Sequence, residues 1–488
     1  MNDLVLGTLP VAATGTAALL LLLLAAFLNR GRAVGYAGVG LTALLGCGSV
    51  RLLWAEGVRP VPGALLSCDR LALFFDALFL LAALFAMALS TDYLAKKRRD
   101  RAELYGLVAL AATGMMALAS ATNLIVFYLG LELMSLSFYV MAGLLREHEN
   151  SIEAAFKYFL LGAFSSAFLL MGAALLYGSL GSLDYAGMAV RLAEGAPAFG
   201  EPMLLMGFLL FLVGLFFKLS LIPFHFWAPD VYQGAPTPVT ALMAVGGKTA
   251  ALAAALRVFL SAFSQSPLLS GKWAAIFTAI GLLTIFTGSM VALTQRHIKR
   301  LLAYSSVVHA GFLALGLAAL GLGAPLGQRM LEALLFYVSA YLFMNFGAFA
   351  VAGAVERPEN QDEPLRSFSG LGTASPLLAA LFALFLFSLA GIPLTAGFLG
   401  KFYVFGVLVS AHHYWVAALG LLGAVIATYY YLKTVVALYF PPAGEEPAPA
   451  PVVGAATWAV LGATALLTLY LGVFPAVVTE AAKGLTIG

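Results

Sequence analysis

Charged residues are scarce in this sequence: Asp, Glu, Lys and Arg make up 10% of its 488 positions, whereas 62% of the residues are hydrophobic. Soluble globular chains carry about 25% charged residues, so a soluble multidomain protein is excluded. The apolar residues form runs long enough to cross a bilayer, which takes about 20 residues in a helix. We therefore predict an all-α polytopic membrane protein, with one membrane domain over residues 1–488.

Cysteines and cofactor motifs are also few. Cys47 and Cys68 are the two cysteines, and neither lies in a C-x-x-C pair, so neither zinc nor an iron–sulfur cluster is indicated. The GGKT stretch at 246–249 is not a phosphate-binding loop because Leu242 replaces the first glycine of that motif, and GLGAPLG at 321–327 does not fit the dinucleotide fingerprint. The net charge of +3 is too small to indicate nucleic acid binding. We expect no cofactor, metal or nucleic acid on this chain.

Apolar runs separated by polar, glycine or proline breaks predict fourteen membrane helices. The first run is too long for a signal peptide and lacks a clear cleavage site, so it is predicted to be retained. The seventh run meets Pro223, and the twelfth is interrupted by AGIPLTAG, so both are predicted to be discontinuous helices. The runs lie near 5–28, 33–53, 71–92, 103–121, 122–144, 155–178, 203–222, 239–263, 273–293, 301–322, 331–354, 375–409, 413–440 and 454–478.

Lysine and arginine are distributed unequally between the loops. Loops after odd-numbered helices carry Arg30, the basic cluster at 96–101 and several further basic residues, whereas loops after even-numbered helices, including Arg59, carry fewer. Basic loops stay in the cytoplasm during membrane insertion. Both termini are therefore predicted on the periplasmic side, and the 96–101 cluster is interpreted as a topology signal only.

The two irregular helices occupy the same position in two five-helix units. Lys218 precedes the break at Pro223, and Lys401 follows the break at Pro393. Because each unit has an odd number of helices, consecutive units enter the membrane from opposite sides. This arrangement predicts an inverted repeat, in which ion sites lie near the midplane at discontinuous helices. The predicted division is 1–102 (helices one to three), 103–263 (helices four to eight), 273–440 (helices nine to thirteen) and 454–478 (helix fourteen).

Four ionisable residues are predicted at membrane depth: Glu132, Lys218, Lys248 and Lys401. A lysine inside hydrocarbon costs about 2.5–3.5 kcal/mol on insertion scales, so such residues usually serve a function. Burial favours a neutral lysine and a nearby carboxylate favours a charged one, so a lysine whose partner moves can release and rebind a proton. These residues therefore indicate a proton relay. The alternative is that the charges only hold helices together.

Three further residues are additional candidates for the relay. His225, in the break of the seventh helix, and His309, in the tenth helix, could shuttle protons near neutral pH. His225 could instead cap backbone groups freed by the break, and His309 could simply bond a neighbouring helix. Lys157 could extend the relay or pair with Glu153, four residues before it. Other charges in the predicted spans are interpreted as terminal or snorkelling groups: Asp76, Arg257 and Lys433.

Several long motifs occur in the order found in one known family. They are LGLELMSLSFYV, EAAFKYFLLGA, KLSLIPFHFWAPDVYQGAPTPVTALMAVGGKTAA, KRLLAYSSVVHAGF and GIPLTAGFLGKF. Over roughly residues 70–440 the sequence resembles the antiporter-like membrane subunits of proton-translocating NADH:quinone oxidoreductase (respiratory complex I), and among them the subunit N family. Lysine at position 401 favours this family, because the sister subunits typically carry a carboxylate there.

The resemblance implies a proton-translocating subunit of a complex in the bacterial inner membrane, with sister antiporter-like subunits as partners. It implies that Glu132 pairs with Lys218, that Lys248 is the central relay and that Lys401 lies on the exit branch. NADH, FMN, iron–sulfur clusters and quinone are expected in partner subunits. Two alternatives stay open, namely a cation/proton antiporter or hydrogenase-complex subunit, and a passive scaffold.

Overall fold

The computed structural model describes residues 2–28, 31–56, 61, 63–195, 200–322, 324–357, 364–440, 450–483 and 485. Arg30 and Arg59, which contribute to the loop-charge prediction, lie outside these residues. Within them the regular structure is helical, apart from isolated bridges that join Leu66 to Ala121, Asn123 to Asp184 and His297 to Pro364. The prediction of an all-α membrane protein is confirmed.

Thirteen helices of the described chain are long and apolar enough to cross a membrane, and two shorter apolar helices precede the last two of them. In chain order they are α1 (Leu6–Phe27), α2 (Gly31–Ala55), α3 (Arg70–Lys96), α4 (Glu103–Ser120), α5 (Leu124–Ala142), α6 (Glu149–Leu180), α7 (Glu201–Leu219), α8 (Thr237–Ser261), α9 (Gly271–Ala292), α10 (Ile298–Ala319), α11 (Leu326–Val355), α12 (Pro376–Ala390), α13 (Ala396–Ser410), α14 (Tyr414–Tyr439) and α15 (Ala455–Val473). Shorter helical segments lie at Tyr185–Glu194, Trp227–Gly234, Phe263–Gln265, Leu320–Leu322, Leu365–Phe368, Leu371–Ala374 and Ala476–Ala482. The short helices α12 and α13 occupy the predicted twelfth run, while the count of fourteen spans and the two repeats stay predictions.

The helices differ strongly in how far they are enclosed by protein. Helices α8, α10 and α11 are almost completely buried, whereas fewer than half of the residues of α1, α2, α6, α9, α14 and α15 are buried within the protein. Side chains on the enclosed helices contact other helices rather than lipid. Polar residues on these three helices can therefore find partners, which lowers the cost of holding them at membrane depth.

The chain breaks after α7, as the sequence predicts. The helix ends at Leu219; Ser220, the next residue, adopts the left-handed conformation with φ of 57°, and Pro223 follows. Backbone groups freed inside a membrane need new hydrogen-bond partners. The indole Nε1 of Trp227 supplies one, because it donates to the carbonyl oxygen of Phe217 at 2.9 Å. The break is therefore stabilised by an aromatic residue from the segment that follows it.

A second break separates α12 from α13. Helix α12 ends at Ala390 and is followed by Gly391, whose φ of +91° is readily adopted only by glycine. The hydroxyl of Ser388 then accepts a hydrogen bond from the backbone N–H of Gly397 at 3.1 Å, which joins the end of one half-helix to the start of the next. The predicted interruption of the twelfth run therefore falls at residues 391–395.

A buried ion pair joins α8 to the start of α3. Arg257 is only 2% exposed, donates to both carboxylate oxygens of Asp69 at 2.7 and 2.8 Å, and donates to the carbonyl oxygen of Ala119. The interpretation of Arg257 as a snorkelling charge is wrong, because its guanidinium is enclosed by neighbouring helices. Asp76, which lies near the start of α3, is 3% exposed, so it does not snorkel to the membrane interface either.

A second buried ion pair lies where α3 and α11 end. Lys97, from the basic cluster at 96–101, forms an ion pair of 2.8 Å with Glu356, and both side chains are almost completely buried. The carboxylate of Glu356 also accepts hydrogen bonds from Tyr93 and Thr237. The interpretation of the cluster as a topology signal only is therefore wrong for Lys97, which also joins the end of α3 to the end of α11.

Candidate functional site

Lys218 lies in the last turn of α7 and is 4% exposed. Its Nζ donates to the hydroxyl of Ser135 on α5 at 2.7 Å. The same ammonium faces the rings of Tyr139 and Tyr158 at 5.7 and 5.9 Å from their centroids, within the range of cation–π attraction. A neutral hydroxyl and two aromatic faces therefore stabilise the ammonium of Lys218.

Glu132 lies on α5, one turn before the hydroxyl that binds Lys218. Its carboxylate accepts a hydrogen bond from Ser166 on α6. Glu132 and Lys218 form no direct ion pair in the described part of the chain, and each contacts a serine instead. The pairing that the resemblance implies is therefore indirect: Lys218 bonds Ser135, which lies one turn from Glu132 on α5. Both groups can change protonation without breaking a salt bridge.

Lys248 lies at the centre of the enclosed helix α8, directly after a π-helical stretch at Met243–Gly247. Such wide turns are frequent at functional sites. The Nζ of Lys248 donates to the hydroxyl of Ser306 on α10 at 2.5 Å, and the hydroxyl of Tyr341 on α11 donates to the same oxygen at 2.8 Å. The ring of Tyr232 lies 5.9 Å away. Three helices therefore meet at this lysine.

Aromatic side chains fill the space between the first two lysines. Tyr158, which faces Lys218, stacks on Trp227 with ring centroids 4.4 Å apart. Trp227 in turn contacts the edge of Tyr232, which faces Lys248. No direct hydrogen bond joins the two lysines among the described side chains, so a proton that passes between them needs water or a movement of these rings.

Buried polar side chains form a row from Glu132 and Lys218 to Lys248, and His309 on α10 continues it. Its Nδ1 lies 2.6 Å from the hydroxyl of Tyr337, and its Nε2 lies 3.5 Å from the hydroxyl of Tyr431. Tyr431 also bonds Ser305 at 2.5 Å. Because both ring nitrogens face hydroxyl groups, the imidazole can accept a proton on one side and release one on the other.

Lys401 lies near the start of α13, beside the second break. Its Nζ donates to the carbonyl oxygens of Leu389 and Ala390 at 2.8 and 2.9 Å. These belong to the last turn of α12, where the helix dipole favours a positive charge. Phe312, one turn beyond His309 on α10, places its ring 5.4 Å from the ammonium. Lys401 therefore lies beside the α10 residues that continue the row.

His225 is 5% exposed in the first break, and its Nδ1 has no hydrogen-bond partner in the described chain. Its ring packs against Phe226 and lies near the ring of Tyr304 on α10. Buried side-chain nitrogens are rarely left without a hydrogen-bond partner. His225 therefore offers a proton-accepting nitrogen close to the row.

Lys157 has a different environment. It is 39% exposed and forms ion pairs with Glu153 at 2.5 Å and with Asp230 at 2.7 Å. Asp230 also pairs with Arg300 at 2.7 Å. Burial alone would raise the pKa of Asp230, but hydrogen bonds from Lys157 and Arg300 hold it below its usual value. The structure thus places Lys157 in a charged network that joins α6, the Trp227–Gly234 helix and α10, apart from the buried lysines.

Lys218, Lys248 and Lys401, the three buried lysines of the candidate site, share one property: none has a carboxylate contact among the described side chains. Each donates instead to serine hydroxyls or backbone carbonyl oxygens. A neutral partner tolerates loss of the proton better than a carboxylate does, because no unpaired negative charge is left behind. The arrangement can therefore hold and release protons at several buried positions.

The sequence did not reveal the hydroxyl groups that bind the candidate residues. Their only signal is helical spacing, because Ser135 follows Glu132 by three residues and Ser306 precedes His309 by three. Among the described residues no group of three or more His, Cys, Asp or Glu side chains lies close enough to hold a metal ion. The hydroxyl groups of the row belong to Ser135, Ser166, Ser305, Ser306, Tyr337, Tyr341 and Tyr431.

Solved structures with this fold come from membrane complexes. A chain of respiratory complex I from Thermus thermophilus with bound aureothin is 36% identical, with a TM-score of 0.81, and the match covers 97% of this chain and 99% of that one. A chain of an archaeal membrane-bound sulfane sulfur reductase (22% identical, covering 98% and 96%) and one of the Mrp complex from Dietzia (20%, covering 98% and 97%) give TM-scores of 0.85 and 0.82. The last two likenesses concern the fold alone.

Sequence relatives identify the family. The family described as "NADH:quinone oxidoreductase/Mrp antiporter, TM" matches residues 121–427. NADH-quinone oxidoreductase subunit N from Trichlorobacter lovleyi is 43% identical over 413 residues, which are 85% of this chain and 81% of that protein. The subunit N of Moorella thermoacetica is 41% identical over 453 residues, covering 91% and 90%. The chain therefore belongs to the NADH:quinone oxidoreductase/Mrp antiporter membrane family and, within it, to the subunit N family of NADH-quinone oxidoreductase.

Proposed function

We propose that this chain translocates protons as a membrane subunit of NADH:quinone oxidoreductase, through a row formed by Glu132, Lys218, Lys248, His309 and Lys401. The observation that carries the proposal is the bonding of three buried lysines to neutral oxygens rather than to carboxylates. A structural ion pair requires a counter-ion, whereas a proton carrier requires a partner that accepts both of its protonation states. Quinone reduction in other subunits drives the transfer.

Around Lys248 the proton moves along hydroxyl groups. Ser306 accepts hydrogen bonds from Lys248 and Tyr341, and Tyr341 lies one turn from Tyr337, which contacts His309. Transfer from Lys248 requires the hydroxyl protons to turn, so that Ser306 accepts a proton from Lys248 and releases its own to Tyr341, and water joins Tyr341 to Tyr337. His309 accepts a proton on one ring nitrogen and releases a proton from the other. Water completes the steps between Lys218 and Lys248 and between His309 and Lys401.

The proposal extends to the setting of the chain. The protein resides in a bacterial inner membrane with both termini on the periplasmic side, as the loop charges favour. Residues 103–263 and 273–440 form two inverted units, each with a discontinuous helix beside a lysine. NADH, FMN, the iron–sulfur clusters and quinone bind in partner subunits, and sister antiporter-like subunits are its neighbours.

Replacing Lys218 with methionine is expected to lower NADH-driven proton translocation by about threefold or more, because methionine cannot carry a proton. The loss is partial because the adjoining break contains His225, a second proton-accepting side chain. Translocation is measured by dye quenching in vesicles that contain the assembled complex, with Lys272→Met as the matched change at an exposed lysine.

Normal proton translocation in the Lys218→Met complex would contradict the proposal and favour a scaffold role for this chain. Sodium transport in the same vesicles, measured with labelled sodium and no NADH, separates the remaining alternative. Sodium movement that depends on Lys218 would favour a cation/proton antiporter, and its absence is expected.

A further inference from the structure

A polar cavity that shares no lining residue with the proposed proton row lies where α2 begins and the loop 97–102 joins α3 to α4. Its volume of about 570 Å³ falls within the range of about 300–1,000 Å³ that ligand pockets have. Residues of three helices and of the loop line it, so tertiary packing builds it rather than one segment. Its polar lining residues are Arg32, Thr91, Arg98, Arg99, Asp100 and Tyr105.

Three guanidinium groups in this lining have too few carboxylate partners. Arg32 and Arg98 are exposed and form no ion pair with a described residue. Arg99 pairs with Glu147 at 3.5 Å, but the same carboxylate oxygen lies closer to Arg101, at 3.0 Å. One carboxylate is thus shared between two arginines. The cavity therefore keeps an excess of positive charge.

Asp100 does not balance these charges. Its Oδ1 packs against Gly31, at the start of α2, so closely that a side chain at position 31 would clash with it. The N-terminus of a helix favours a negative charge, and Asp100 forms no ion pair with a described arginine. The carboxylate is thus held at α2, and the guanidinium groups are left to an anion from outside the chain.

Tyr105 adds a hydrogen-bonding group at the inner wall of the cavity. It is 1% exposed, and its hydroxyl forms no hydrogen bond with a described residue. Burying a hydroxyl without a partner is costly, so buried polar groups rarely lack one. A phosphate or ester oxygen bound in the cavity would accept the missing hydrogen bond.

The cavity also extends along the membrane span α3. Thr91, at one end of the lining, precedes Arg98 by seven residues, which is about 10 Å along a helix. Tyr36, one turn after Arg32 on the same face of α2, is 66% exposed. Exposed aromatic rings near the end of a span lie at the level of lipid head groups. Charged groups at one end and membrane-facing surface at the other match a phospholipid, whereas a soluble anion needs no such extension.

We propose that this cavity binds the head group of an anionic phospholipid, with the phosphate on Arg32, Arg98 and Arg99 and the hydroxyl of Tyr105 donating to a head-group oxygen. Phosphate accepts paired hydrogen bonds from a guanidinium, which makes arginine well suited to this role. Basic pockets between membrane helices recognise such head groups. A topology signal requires basic residues in a loop, but it does not require Arg32 of α2 in the same cavity. The lipid would join the start of α2 to the loop after α3, and this role is independent of the proposed proton row.

Photolabelling of the assembled complex tests the site. The complex is reconstituted in nanodiscs of phosphatidylcholine that contain a minor fraction of phosphatidylglycerol with a photoreactive diazirine next to its glycerol backbone. We expect mass spectrometry to find the label on residues 91–105, and Arg32→Gln/Arg98→Gln to lower this labelling about tenfold. Neither arginine has an ion pair to lose, so the fold is expected to remain. Arg146→Gln/Arg366→Gln, which removes two exposed arginines outside the cavity, should label like the wild type.

Further measurements separate the lipid from other occupants. The same diazirine on phosphatidylcholine is expected to label weakly, and added inorganic phosphate is expected to leave the labelling by phosphatidylglycerol unchanged. Tyr105→Phe should lower this labelling about threefold, because it removes one hydrogen bond. The proposal is overturned if residues 91–105 carry no label in the wild type, as when a partner subunit covers the cavity, or if Arg32→Gln/Arg98→Gln or the phosphatidylcholine probe gives equal labelling. Loss of the label on addition of inorganic phosphate would overturn it in favour of a site for a soluble anion.

Discussion

Replacing Lys248 with methionine is expected to lower NADH-driven proton translocation about tenfold or more while the complex still assembles. The expectation follows from the position of Lys248 on the enclosed helix α8, where its Nζ contacts Ser306 and through it Tyr341. Methionine has a similar length and no proton to give. The measurement is the initial rate of acidification in vesicles with equal amounts of complex.

Arginine at the same position separates charge from proton transfer. Lys248→Arg keeps a permanent positive charge, because a guanidinium does not lose its proton in proteins. We expect translocation as low as in Lys248→Met, although the charge is retained. Full translocation in the arginine variant would mean that position 248 supplies only a fixed charge, and the relay would have to bypass it.

The second large effect is expected on stability. Arg257→Ala should destabilise the fold by about 3–5 kcal/mol, because it leaves the carboxylate of Asp69 buried without its partner. The hydrogen bond to the carbonyl oxygen of Ala119 is lost as well. The expected result is a lower midpoint of thermal denaturation in detergent. It is followed by the fluorescence of a thiol-reactive dye in a Cys47→Ser background, so that the signal reports exposure of Cys68.

Two controls accompany this stability measurement. Lys483→Ala removes an exposed ion pair with Glu480, and it should change the midpoint little, because solvent weakens ion pairs at the surface. The double variant Asp69→Asn/Arg257→Met removes both buried charges and should recover much of the loss. If Arg257→Ala melts like the wild type, the buried pair does not hold α8 against α3.

The helices and the buried lysines could be predicted because both follow from local composition. Long apolar runs define the spans, and a lysine inside such a run is conspicuous without knowledge of its neighbours. The two breaks could be found for the same reason, since Pro223 and Pro393 lie within apolar sequence. These features need only a window of about 20 residues.

The partners of these residues could not be predicted, because they come from distant parts of the chain. Arg257 and Asp69 are 188 residues apart, and nothing local distinguishes them from charges at a membrane interface. Lys97 belongs to a cluster of basic residues that is typical of a topology signal. Only the packing of α3 against the end of α11 reveals its carboxylate partner. Glu132 and Lys218, which were expected to pair directly, each contact a serine instead. The sequence indicates these serines only weakly, through their spacing of three or four residues from other polar residues.

In the described chain Lys248 and Lys401 have no carboxylate contact, so their positive charges are not balanced locally inside a medium of low dielectric constant, whereas Glu132 lies near Lys218. Like charges repel more strongly there than in water. Full occupancy of the row is therefore penalised, and arrival of a proton at one end favours departure at the other. In successive turnovers each proton that enters the row would then displace the proton that entered before it.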